Sequence, residues 1–76
     1  MTAPTIELRK RIVCDPGLRH GEPLIRGTRI AVATIVASLA DLSAEELLRQ
    51  FPQLTPEDVR GALLHAAEAS RNTMVA

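Results

Sequence analysis

A change of period at Ala31 constrains this chain more than any other feature. Before it, apolar residues come in short runs cut by Asp15-Pro16-Gly17, by His20-Gly21-Glu22-Pro23 and by Gly27. After it, Val32, Ile35, Val36 and Leu39 fall at i, i+3, i+4 and i+7, one face of an α-helix. That helix ends at Asp41-Leu42. Ser43-Ala44-Glu45-Glu46 is a capping box: the hydroxyl accepts from the Glu46 amide, and the Glu46 carboxylate reaches back. The second helix buries Leu47, Leu48 and Phe51 and stops before Pro52. Thr55 as N-cap and Pro56 at the first helical position open a third. Its stripe is Val59, Ala62, Leu63, Ala66 and Ala67, and it frays near Asn72.

The N-terminal third reads differently. Ile6 to Val13 has β-branched residues at both ends and charges between, the pattern of an edge strand. Asp15-Pro16-Gly17 is a turn in which Asp bonds the backbone ahead and Pro fixes φ. Leu24-Ile25-Arg26 and Thr28-Arg29-Ile30 are short extended segments around Gly27. The expected fold is mostly α with a small β section. Short N-terminal strands or a hairpin precede a three-helix, helix-turn-helix-like bundle. Residues 1–76 form one domain, with 6–30 as strands and turns, 31–71 as helices, and 1–5 and 72–76 loose.

Composition then removes function classes. A chain of 76 residues has a thin core, which dimerisation would supplement. Phe51 is the sole aromatic residue, so no stacking platform for single-stranded nucleic acid can be built. One cysteine, Cys14, forbids an internal disulfide and suggests a reducing compartment. With His20 and His65 far apart in sequence it makes no zinc pattern. The apolar stretch from Ile30 to Ala40 is too short to span a membrane, and the N-terminus lacks an apolar signal core. A cytoplasmic protein is expected.

No nucleophile–base pair or metal cluster is visible, so neither enzymatic activity nor a cofactor is expected. Glu45-Glu46 and Glu57-Asp58 sit where carboxylates favour the start of a helix, which explains both pairs without acid–base chemistry. The net charge of zero hides a segregation: residues 1–30 carry +3 and residues 31–76 carry −3. Arg9, Lys10, Arg11, Arg26, Thr28, Arg29 and Arg60 are candidate contacts for DNA phosphate or for a partner protein. Alternatively, the basic half meets the acidic half of a second copy in a homodimer. Glu57 and Asp58 would repel phosphate from the start of the third helix, which carries only Arg60 and Arg71 as cations. Leu64 lies off the main stripe, in a row with Arg60 and Glu68, as a candidate contact for a second chain.

The run His20-Gly21-Glu22-Pro23-Leu24-Ile25-Arg26-Gly27-Thr28-Arg29-Ile30 resembles the signature of a bacterial family, domain of unknown function 433. Members read close to G-x-P-x-I-x-G-T-R-I-x-V. The likeness continues through Ser43-Ala44-Glu45-Glu46-Leu47-Leu48, Phe51-Pro52-Gln53-Leu54-Thr55 and Asp58-Val59, and covers about residues 12–69. The resemblance implies an antitoxin-like protein that silences a cognate toxin, a PIN-like nuclease, and represses its own operator DNA. It puts Gly27, Thr28 and Arg29 at the motif's centre, with Gly21 as the second motif glycine. A bracing role for Thr28 and Arg29 within the hairpin is equally open. Leu42 departs from the family's usual glycine, so the corner there closes without a left-handed cap. The alternative is a protein–protein adaptor without DNA affinity.

Overall fold

The computed structural model describes residues 5–17 and 19–73. Its elements are α1 (Thr5–Arg9), β1 (Ile12–Val13), a 3-10 turn (Arg19–Gly21), β2 (Leu24–Ile25), α2 (Val32–Ser38), α3 (Ala44–Gln50) and α4 (Pro56–Thr73). The protein is mostly helical with a small β hairpin near its N-terminus. β1 and β2 are antiparallel, with Ile12 opposite Ile25 and Val13 opposite Leu24. On its other side Leu24 bridges Ala31, just before α2.

The expected edge strand over Ile6–Val13 is only half extended. Thr5–Arg9 is helical, so the described residues form four α-helices where the sequence suggested three. Glu7 in the first turn and Arg9 in the last complement the helix dipole. Leu8 is buried against α4, and this packing overrides the extended preference of Ile6. Ile6 itself is left 62% exposed. Of the ends expected to be loose, residues 1–4 and 74–76 lie outside the described residues, while Thr5, Asn72 and Thr73 are helical.

The helix boundaries follow their caps. Ser43 Oγ accepts from Glu46 N at 3.1 Å, and Ser43 N donates to the Glu46 carboxylate at 2.9 Å. α2 starts at Ala31 without a side-chain cap and ends through Leu39 in a right-handed conformation. Ala40 N, Asp41 N and Leu42 N then donate in turn to the carbonyls of Ala37, Ser38 and Ser38. The corner is thus closed by tightening turns rather than by a left-handed residue, as leucine at position 42 requires.

Ile25, Val32, Ile35, Leu47, Leu54, Val59 and Ala62 form the core, with Ile12, Ile30, Val36, Leu39, Leu48 and Phe51 packed round it. α4 is the central element, and both α2 and α1 lie on it. This double contact rotates its buried face from the expected stripe. Asp58, Val59, Gly61 and Ala62 are buried, whereas Leu63 is 45% exposed and Ala67 is exposed. Leu64 is half-buried.

Gly61 is the residue that lets α1 approach. A Cβ there would lie 2.9 Å from the Leu8 carbonyl oxygen, a backbone atom that cannot swing aside. Gly61→Ala should gain about 1 kcal/mol of helix propensity yet lose more to this collision, about 1–3 kcal/mol. A fall of a few degrees in Tm is expected. A rise in Tm would show that propensity governs the position.

Candidate functional site

The basic N-terminal residues and the acidic helix find each other within one chain. Arg9 grips Glu68 of α4 through two bonds, Nε to Oε1 at 3.3 Å and Nη2 to Oε2. Arg11 Nη1 donates to Asp58 Oδ1 at 2.9 Å and reaches Thr55 Oγ1 at 3.4 Å. Lys10 stands 3.6 Å from Glu7, and Arg60 stands 3.8 Å from Glu57. Much of the segregated charge is therefore cancelled inside the monomer. Asp58 does two tasks, since its other oxygen accepts from Thr55 N at 2.9 Å while Asp58 N donates to Thr55 Oγ1 at 3.2 Å. This is a capping box with aspartate in the glutamate's place.

The Gly27-Thr28 pair of the motif is spent on the hairpin. Thr28 N donates to Ile25 O at 3.0 Å, closing a turn in which Gly27 has φ +79°. The Thr28 hydroxyl donates to Ile25 O at 2.9 Å and accepts from Ile30 N at 3.0 Å. Ile25 N donates to Ile30 O at 2.9 Å. One hydroxyl thus pins the residues on either side of the turn that follows β2. Arg26 and Arg29 stand exposed on either side of it. His20 (φ 60°) and Gly21 (φ 80°) are both left-handed and reverse the chain between β1 and β2. Among non-glycines, histidine is one of the types that accept this conformation.

Three concavities stand out among the described residues. A groove of about 550 Å³ runs between α2 and the second half of α4, walled mainly by Val32, Ala33, Val36, Ala37, Ala66 and Ala69. A cavity of about 240 Å³ brings Cys14 and His65 together with Arg9 and Glu68. The third, of about 250 Å³, holds Lys10, Arg11 and Arg26 with two carboxylates. No three His, Cys, Asp or Glu side chains among the described residues converge to hold a metal ion. No described helix is long and apolar enough to cross a membrane.

The candidates therefore separate. Arg9, Lys10, Arg11 and Arg60 carry carboxylate partners, Thr28, Gly21 and Gly27 shape the backbone, and Leu64 is half-buried. Gly61 and the buried Asp58 escaped the sequence reading as contact residues. The signal for the first was a lone glycine inside a helical pattern, which calls for a packing reason.

Residues 12–66 match the model of a family described as protein of unknown function (DUF433), and the chain belongs to that family. An uncharacterized protein, y4eO, from Sinorhizobium fredii (strain NBRC 101917 / NGR234) is 36% identical over 59 residues. The match takes in 76% of this chain but only 27% of that relative. No solved structure matches.

Two outcomes follow from the geometry. Thr28→Val should lower stability by about 1–2 kcal/mol, because the Ile30 amide loses its acceptor, whereas Thr28→Ser should keep most of it. Thermal melts of the two variants check this. The Glu68 carboxyl is held below its ordinary value of 4.5 by the Arg9 hydrogen bond, and that of Glu46 by its bonds to Ser43. A depressed carboxyl stabilises the fold above its unfolded pKa and loses that contribution as pH falls through the folded one. Tm should therefore drop on acidification below about pH 4.5, and drop less in Glu68→Gln.

Proposed function

Taking a DUF433 domain as the premise, we propose that this chain is a non-catalytic, antitoxin-like module that binds a partner protein. A helix of that partner, the cognate toxin, lies in the groove between α2 and α4. The groove carries this reading: it is the largest concavity described for the fold and its walls are mostly alanine and valine. Small side chains let another helix come close, and the apolar walls reward it for doing so. Supporting it, Arg9 and Arg11 are engaged by Glu68 and Asp58 of the same chain, so neither is spare for a docking on DNA led by α4. The first turn of α4 presents Glu57, the wrong charge for a helix entering a DNA groove, and its other carboxylate, Asp58, is turned inward.

The test is co-expression with the product of the adjacent gene, with the mass of the purified complex as readout. A stable complex with wild type is expected. Ala37→Glu combined with Ala69→Glu should abolish it while leaving Tm within a few degrees, since both residues are exposed. A complex that survives both substitutions would exclude the groove. A chain that forms only dimers of itself, with no partner bound, would replace the toxin by a second copy and leave a homodimeric adaptor.

A further inference from the structure

The third concavity has a chemistry of its own. Lys10 reaches it from the end of α1, Arg11 from the entry to β1, and Arg26 from the turn that follows β2. Three cations from two segments, the α1–β1 turn and the turn after β2, thus face one depression. Of its two carboxylates, Asp58 is turned inward, with one oxygen on Arg11 and the other on Thr55 N. Glu7 stands 3.6 Å from Lys10, longer than the 2.7–2.9 Å of a strong charge-assisted bond, and both side chains are more than half exposed. Arg26 has no ion-pair partner among the described residues. Its backbone is fixed by the turn at Gly27-Thr28 and by the bond from Arg26 N to Arg11 O at 2.7 Å. No aromatic residue lines the depression, so it offers a base no ring to stack on.

We propose that this depression takes a phosphate group, with the backbone of duplex nucleic acid as the favoured source. Arg26 and Lys10 make the contact, and Arg11, paired with Asp58, forms the wall behind them. Glu7 is the internal competitor, which an arriving phosphate displaces from Lys10. The surface is separate from the groove between α2 and α4, so it stands or falls apart from the toxin-binding reading.

The experiment is binding of a labelled duplex of about 20 base pairs, from low to physiological salt, by the full chain and three variants. Each neutralised phosphate contributes about 0.9 to the slope of log affinity against log salt. Arg26→Gln should weaken binding several-fold and flatten the slope by about that amount. Glu7→Gln should tighten binding, by up to about fivefold, because an exposed ion pair is a weak competitor. Arg71→Gln, at the far end of α4, should stay within about twofold of wild type. In parallel, inorganic phosphate is titrated while the amide resonances of Arg26, Gly27 and Thr28 are followed. Duplex binding with this ranking supports the backbone as source. Phosphate-induced shifts, lost in Arg26→Gln but without duplex affinity, support a free phosphate instead. Equal losses for Arg26→Gln and Arg71→Gln would reduce the effect to diffuse charge and overturn the site. So would a protein that answers neither probe. All three side chains are exposed, so unchanged melts are expected and separate loss of binding from loss of fold.

Discussion

The carboxylate of Asp58 is the joint on which the rest depends. It is 7% exposed, and a charge so placed is costly unless its oxygens are filled. One is filled by Thr55 N, which starts the longest helix; the other is filled by Arg11, which precedes the hairpin. A single group therefore sets where α4 begins and where the β section sits against it. α2 and α1 pack on α4 in their turn, so the position of that helix fixes the others.

The same economy shapes the hairpin. Gly27 supplies a backbone conformation that side-chain-bearing residues resist, and Thr28 closes it with one hydroxyl serving both arms of the turn. The most distinctive run of the sequence is thus largely architecture. What it leaves on the outside is Arg26 and Arg29, displayed on a rigid tip. The apolar surface lies elsewhere, between α2 and α4, where alanines keep the walls low.

Much of the fold was legible in the residues because its instructions are local. Ser43 with Glu46, and Thr55 with Pro56, announce helix starts, and the structure places α3 and α4 where they say. The Asp15 turn is closed by its own side chain, with Gly17 N donating to Asp15 Oδ1 at 2.9 Å. What escaped is non-local. α1 is a helix of five residues whose reason is a glycine more than fifty positions away. Leu63 fits an apolar stripe on a helix with one neighbour, but α4 has neighbours on two sides, which turns that residue outward. The charge segregation was visible. That it resolves within one chain depended on a pairing, Arg9 with Glu68, that no periodicity encodes.

The contact between α1 and α4 also bears on where this unit ends. The family match begins at residue 12 and stops at 66, so Leu8, Arg9, Arg11 and Glu68 all fall outside it. Yet Leu8 fills the notch at Gly61, Arg11 neutralises the joint at Asp58, and Arg9 and Glu68 clasp the two ends together. A chain trimmed to the matched segment would keep every turn of its motif and still carry a buried, half-satisfied carboxylate beside an empty slot. The segment by which the family is recognised is shorter than the packed unit, and the difference is a belt buckled from outside.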